Sequence, residues 1–237
     1  MRVLLISDLH GNPWALRAVA ADCGTFDYVL CGGDVVNYGP DPGACITWLR
    51  GHNAITVCGN HDYAVAHNQH PHANPAKAQL ALAMRDWTLG QLSIVDIHWL
   101  KRLPLRLTWD CGGTTFDVVH ASRMDPLYDY RLTPDLSINK LTEYLGNGPL
   151  ADVLMVGHTH LPYVRPYINR QLVNPGSVGQ PLDGDPRASY AVWEDGTISL
   201  RRVEYPVQDV VAALDKIKAP LVRKADLKRV LETGKLF

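Results

Sequence analysis

The sequence predicts an α/β domain built from two packed mixed sheets, and three observations predict it. Short continuous apolar runs alternate with amphipathic patterns through the first half, the order that builds parallel strands with right-handed crossovers. The second half is richer in strands, and Gly112-Gly113 and Asp195-Gly196 supply the turns that hairpins require. No internal repeat, low-complexity tract or linker divides the chain, so one domain over residues 1–237 is the simplest arrangement.

Each element has a local reason. Val3–Ile6 is a Val/Leu/Ile run, the signature of a strand buried on both faces. Asn12-Pro13 then offers an N-cap residue and a proline at the first helical position, and Leu16, Val19, Ala20 and Cys23 follow at helical spacing. Tyr28–Cys31 reads as a second strand, Asp41-Pro42 opens a helix through Trp48 and Leu49, and Ala54–Cys58 reads as a third strand. Tyr63–Asn74 breaks the rhythm: it is polar, His-rich and read as a loop that ends at a new helix start, Asn74-Pro75. The following helix carries Leu80, Ala83, Met84 and Trp87 on one face, and residues 63–103 together read as a cap-like helical insertion over one end of the sheet. Strands are predicted at Leu105–Asp110, Thr114–Val119, Asp152–Val156, Tyr163–Tyr167, Gln171–Val173, Tyr190–Trp193 and Ile198–Val203, with a helix around Leu136–Leu145. A helical extension, residues 204–237, closes the chain through Val207–Ile217 and Ala225–Leu231. It can pack on the body or cross to a second subunit, which leaves a homo-oligomer open.

Composition excludes several functions. The chain has 23 Lys+Arg against 24 Asp+Glu, so it lacks the cationic excess that displaces counterions from a duplex, and bulk nucleic acid is not an expected partner. Cys23, Cys31, Cys45, Cys58 and Cys111 form an odd set without a Cys-x-x-Cys pair, which favours buried thiols in a reducing compartment. Val3–Ile6 is too short for a signal-peptide core, and no stretch approaches the ~20 apolar residues of a membrane helix. A cytoplasmic protein without a membrane partner is expected.

The chemistry collects at strand ends. The first strand ends in Ser7-Asp8-Leu9-His10-Gly11, the second in Gly32-Gly33-Asp34, and the third in Gly59-Asn60-His61-Asp62. Two later strands end in His120 and in Gly157-His158-Thr159-His160. All five deliver Asp, Asn or His to the C-terminal edge, where open α/β sheets place their ligand sites. Alternation puts Asp8 beside His10, and His158 beside His160, so each pair can present two ligands to one centre. Five such pieces in order are hard to read as solvated loops.

These blocks resemble the signature of the calcineurin-like metallophosphoesterases: Asp-x-His, Gly-Asp, Gly-Asn-His-Asp/Glu, a strand-end His, and Gly-His-x-His. The resemblance covers Met1 to about Val203, and Asn174–Pro181, Ala188-Ser189-Tyr190 and GPDPGAC after the second block look like the small bacterial and archaeal phosphodiesterase branch. Ala121 stands where that branch often has Gly, and Leu182 where an Arg often follows the Gln-Pro. The resemblance implies a four-layer α/β/β/α sandwich of two mixed sheets flanked by helices, with two divalent metal ions. Asp8, His10 and His160 would hold one ion, Asn60, His120 and His158 the other, and Asp34 would bridge them. Carboxylate, amide and imidazole donors suit Mn²⁺, Fe, Zn²⁺ or Ni²⁺, the absence of thiolate argues against a structural zinc cage, and Mn²⁺ is the ion expected first.

The resemblance further implies in-line hydrolysis of a small phosphate ester, a nucleotide among the options and a phosphodiester first, by hydroxide activated between the ions. His61 would face the substrate as acid. Asp62 reads equally as the group that orients His61 and as a turn cap. Asn37 and Tyr38 are candidate pocket residues, Asp41 reads as an N-cap, and Arg123 is a candidate phosphate clamp. His67, His70 and His72 read as solvated or substrate-side histidines sooner than as a third metal site. The tryptophans Trp14, Trp48, Trp87 and Trp99 read as core, and Lys224, Lys228 and Arg229 as a solvated helix face. The same site would serve a phosphomonoesterase or protein phosphatase. The rival of another class is a non-catalytic interaction scaffold, against which stand His61 and the full ligand set.

Overall fold

The computed structural model describes residues 1–73, 78–145, 151–218 and 223–236. In chain order the first half contains β1 (Arg2–Ile6), α1 (Pro13–Cys23), β2 (Tyr28–Cys31), α2 (Pro42–Gly51), β3 (Ile55–Thr56), α3 (Asn60–His67), α4 (Ala78–Gln91) and α5 (Ile94–Lys101). The second half contains β4 (Arg106–Cys111), β5 (Thr114–Val119), α6 (Ile138–Leu145), β6 (Val153–Met155), β7 (Tyr163–Tyr167), β8 (Arg170–Asn174), β9 (Ala188–Glu194), β10 (Thr197–Val203), α7 (Val207–Asp215) and α8 (Lys224–Thr233). One sheet has the order β10-β9-β1-β2-β3 and the other β4-β5-β6-β8-β7. β1, β2 and β3 are parallel, as are β5, β6 and β8, while β9, β10, β4 and β7 pair antiparallel. The sheets are mixed, as the sequence predicts.

The unbroken apolar run of β1 is explained by what lies on each side of it. Val3 and Leu5 join Leu30, Phe116, Val118, Met155 and Trp193 between the sheets. Leu4 and Ile6 face the other way, into a cluster with Leu16, Ile46, Met84 and Leu100 from the helices. Both α1 and α2 start where expected: Asn12 accepts from the Ala15 N–H and Asp41 from the Ala44 N–H, each with proline in the first turn. Four layers result, but unequal ones. Helices α1 to α5, α7 and α8 all contribute to the core on the first sheet. On the second sheet the outer cluster takes Leu141 and Leu145 from α6, with Leu132 from the preceding loop.

Several expectations need correction. Tyr63–His67 is not loop but the body of α3, because Ala64, Val65 and Ala66 are buried and Asn68 ends the helix in the left-handed region. The Asn74-Pro75 helix start lies outside the described residues. Within the cap-like insertion, α5 is a separate element, started by the Ser93 and Asp96 capping box. β3 is shorter than the apolar run because the Cys58 N–H leaves the ladder for the Pro104 carbonyl. The C-terminal helices pack on their own body: Val210, Leu214, Leu227 and Leu231 share a cluster with Leu9, Tyr38 and Val178. All five cysteines are free and buried.

Candidate metal centre and active site

The turns after β1, β2, β3, β5 and β6 meet at one edge of the sandwich and are tied to one another by backbone. Asp8 N–H donates to the Gly33 carbonyl, His10 N–H to Asp34, Gly11 N–H to Val35 and Gly157 N–H to His120. Asp8, His10, Asp34, Asn37, Tyr38, His158 and His160 all have φ between 46° and 75°. Such left-handed conformations cost about 1–3 kcal/mol each and persist only where the surroundings over-determine them. The crowding admits glycine alone at one of these turns: a Cβ on Gly59 would sit 2.1 Å from Asp34 Oδ1.

Two ligand groups result: Asp8, His10 and His160, and Asp34, His120 and His158, each with its donor atoms within 4.8 Å of one another. In the first, His10 Nε2 and His160 Nε2 are 3.2 Å apart, and His160 Nε2 is 3.4 Å from Asp8 Oδ1. In the second, His120 Nε2 lies 3.4 Å from Asp34 Oδ2, 3.1 Å from Asn60 Oδ1 and 3.1 Å from His158 Nδ1. Asp34 Oδ2 is also 3.8 Å from His10 Nε2, so this carboxylate faces both groups.

The donors fit divalent cations. His10 Nδ1 donates to the Val36 carbonyl at 3.3 Å, His120 Nδ1 to Gly32 at 2.7 Å and His160 Nδ1 to Gln180 at 2.5 Å. A ring nitrogen that gives its hydrogen to a carbonyl leaves the other as a lone pair, here Nε2 aimed into the cluster. His158 Nε2 is buried without a hydrogen-bond partner. With oxygen and imidazole donors and no thiolate, the set suits Mn²⁺, Fe, Zn²⁺ or Ni²⁺.

Without a cation the buried groups balance their charges among themselves. Burial raises the Asp8 carboxyl to about 7, with His120 opposing and Asp34 adding to the rise. Burial would raise Asp34 too, but His120, His61 and His10 around it hold it well below the usual range. Burial acts to lower His120, yet Asp34 and Asp8 prevail and raise it to about 9. Burial, then the neighbouring His120, drives His158 well below its ordinary value. These groups share charge they cannot hand to water, the condition a bound cation relieves.

His61 stands apart from the ligands. Asn37 Nδ2 donates to His61 Nδ1 at 2.6 Å and to the Ala81 carbonyl at 3.2 Å. His61 therefore carries its hydrogen on Nε2, which lies 4.0 Å from Asp34 Oδ2. The Tyr38 ring packs against His61 at 4.8 Å and His10 at 5.0 Å between centroids. Beside them opens a cavity of ≈ 300 Å³, lined by Asp34, Tyr38, Asn60, His61, His158 and His160 and by a rim beyond them.

Three expectations change here. Asp62 does not orient His61: its Oδ1 accepts from the Val35 and Val36 N–H and its Oδ2 from Gly59 N–H, so the capping role is the one realised. Asn37 is not a pocket wall; it is fully buried and spends its amide on His61. Arg123 does not line the cavity. Asp117 sits on β5 between Phe116 and Val118, which face the other sheet, so its carboxylate is on the outer face, where Arg123 Nε meets it at 3.5 Å. Among the described residues, His67, His70 and His72 form no third ligand group; His67 packs on Tyr63, and His72 on His70 and Tyr128. Two contributors were not among the candidate residues: Tyr130, whose ring lies 3.8 Å from that of His158, and the Gln180 carbonyl, within the Asn174–Pro181 segment.

A four-layer sandwich that carries paired Asp/His groups at its strand ends defines a metal-dependent hydrolase. The model of the calcineurin-like phosphoesterase superfamily domain matches residues 1–196, and the chain belongs to that superfamily. An uncharacterized protein of Methanocaldococcus jannaschii is 31% identical over 238 residues, covering 92% of this chain and 93% of that protein. The solved structure of a metallophosphoesterase from Sphaerobacter thermophilus is 34% identical, covers 99% of this chain and 100% of its own, and superposes with a TM-score of 0.79. A hypothetical protein from Pyrococcus horikoshii shares the fold with a TM-score of 0.80 at 21% identity over 98% of each chain. The protein is a metal-dependent phosphoesterase. Among the described residues, no helix is long and apolar enough to cross a membrane.

Proposed function

We propose that the protein is a two-metal phosphodiesterase acting on small phosphate esters. Asp8, His10 and His160 would hold one ion and Asn60, His120 and His158 the other, with Asp34 facing both. Mn²⁺ is the first candidate for both. When bound, the ions polarise the phosphoryl oxygens and supply an activated water for in-line attack. His61 would donate a hydrogen bond from Nε2–H to the charge that develops on the phosphoryl and leaving oxygens, and the ring stays neutral while water supplies the leaving group's proton. Asn37 keeps that hydrogen on Nε2, because its amide can only donate to Nδ1. Tyr38 limits the tilt of the His61 ring from one side. The five free, buried cysteines suit a reducing compartment such as the cytoplasm.

The observation that carries this reading is the position of His61 Nε2, 4.0 Å from the carboxylate oxygen that faces both ligand groups. The test uses chelator-stripped protein, bis(p-nitrophenyl) phosphate beside p-nitrophenyl phosphate, and added Mn²⁺. Diester turnover restored by the metal is expected. Turnover of the monoester alone would replace this reading by a phosphomonoesterase, and turnover of neither by a scaffold.

A further inference from the structure

The cavity has two rims of different chemistry, and chain connectivity sets each beside one ligand group. On the His158 side stand Tyr130, its ring tilted 34° against that of His158, and Ala73, whose segment is tied down where Asn60 Nδ2 donates to the Pro71 carbonyl at 2.7 Å. Beyond His160 the rim is mainly leucine, with Thr133 and Thr159 also in the lining. Leu161 follows His160 directly, and Leu182 lies two residues beyond Gln180, whose carbonyl takes the His160 hydrogen. Leu236 comes from the segment after α8, brought alongside by the hydrogen bond from Gly184 N–H to the Gly234 carbonyl at 3.0 Å.

No Lys or Arg is among the described residues that line this cavity. On the flanking segments Arg187 and Arg202 are paired with Asp185 and Asp183, while Lys235, next to Leu236, runs against Gly184. A polyphosphate chain brings charges beyond the reacting phosphoryl group, and cationic side chains are their usual partners. A phosphodiester brings one charge, carried at the metal centre, and its second arm is free to be apolar. A volume of ≈ 300 Å³ is at the small end for ligand pockets, room for a phosphoryl group and one ring-sized substituent.

We propose that Leu161, Leu182 and Leu236 form a subsite for an apolar ester arm, so that the substrate is a diester of a single phosphoryl group with an alkyl or aryl substituent. This rests on the phosphodiesterase reading above. Leucine surface taken out of water by such an arm favours binding in proportion to the carbon it covers, whereas a sugar or second phosphate placed there would lose hydrogen bonds to water without replacement.

The test uses the Mn²⁺-loaded enzyme and two p-nitrophenyl diesters with a common leaving group, one with a methyl and one with a phenyl second arm. Calorimetric binding of methylphosphonate and phenylphosphonate reads the same subsite without hydrolysis. The phenyl compound is expected to exceed the methyl one by roughly tenfold in kcat/KM and in phosphonate affinity. Leu236→Ser, which lies beyond the last helix, and Leu182→Ser should each cut both ratios several-fold, with unchanged metal content as the check on folding. Ratios near one in the parent enzyme, or ratios that survive both substitutions, overturn the subsite. A phosphonate preference that disappears in the variants, without hydrolysis of either diester, supports the subsite and overturns the phosphodiesterase reading.

Discussion

The two ligand groups have nearly the same composition and quite different support. In the Asp8/His10/His160 group both histidines hand Nδ1–H to a backbone carbonyl, so both rings arrive with the lone pair fixed. In the Asp34/His120/His158 group only His120 is held that way. His158 turns Nδ1 to the cluster, leaves Nε2 without a partner and is steadied by the face of Tyr130. Charge adds to the contrast. The first group has Asp8 to itself and shares Asp34, whereas the second relies on Asp34 and the neutral amide of Asn60. Similar donors therefore make unequal sites, and on the proposed assignment one ion would be held more firmly than the other.

The largest effect that can break this comparison comes from the residue common to both sides. Asp34→Asn removes the shared charge, and turnover should fall to background with both ions lost, checked by elemental analysis beside the diester assay. Retention of one ion at full occupancy would show that Asp34 belongs to one group and does not bridge. Next in size is His61→Ala, which should keep both ions and lower the rate by ~10²–10³, the scale of a lost hydrogen-bond donor to developing charge. Asn37→Leu should follow it in direction with a smaller loss in kcat and little change in KM, because the ring stays but its tautomer is no longer fixed. A loss of metal in either variant would mean that His61 takes part in coordination.

A smaller effect sharpens the contrast itself. Outer partners that fix a ligand's tautomer are worth ~10–100-fold in metal affinity, so stepwise Mn²⁺ titration of stripped protein should resolve two classes separated by about that factor. Activity should follow occupancy of the weaker class. His158→Ala should abolish that class and leave the tighter one in place, whereas His160→Ala should weaken the tighter one. A single class with identical affinities would refute the inequality.

How much of this was legible in the sequence depends on the scale of the cause. The strand ends were readable because Asp8, His10, Asp34, His120 and His158 each follow an apolar run, and the glycines beside them mark sharp turns. The caps Asn12 and Asp41 were readable because a cap is a contact three residues long. The destination of a side chain across the sheet edge was not. Asp62 and Asn37 are 25 residues apart, and which of them reaches His61 depends on how the β2 turn meets the start of α3. Arg123 looked like a clamp from its spacing after His120, yet its place is set by Asp117 pointing outward from β5, a consequence of strand register. Tyr130 and Leu236 enter the site only through long-range packing, and no local pattern announces them.

The smallest predicted change in catalysis, and the last, concerns the strut between the two groups. Asp62 accepts from Val35 and Val36, and the Val36 carbonyl is the one that fixes His10. It also accepts from Gly59, the residue before Asn60. One buried carboxyl thus ties the support of the first group to a ligand of the second, while burial and the charge of Asp34 push its own pKa up to about 7 against those N–H donors. Asp62→Ala leaves three buried N–H groups without an acceptor, a loss of about 3 kcal/mol or more. For a chain of this length that is a fall of about 6–12 °C in Tm. Both metal affinities should weaken together, since the substitution loosens the frame and not one set of donors. Asp62→Asn keeps one carbonyl acceptor and should recover Tm in part. If only the weaker class responded to either substitution, Asp62 would belong to the second group alone, and the firmness of the first would have to come from its carbonyl-fixed histidines without help from the strut.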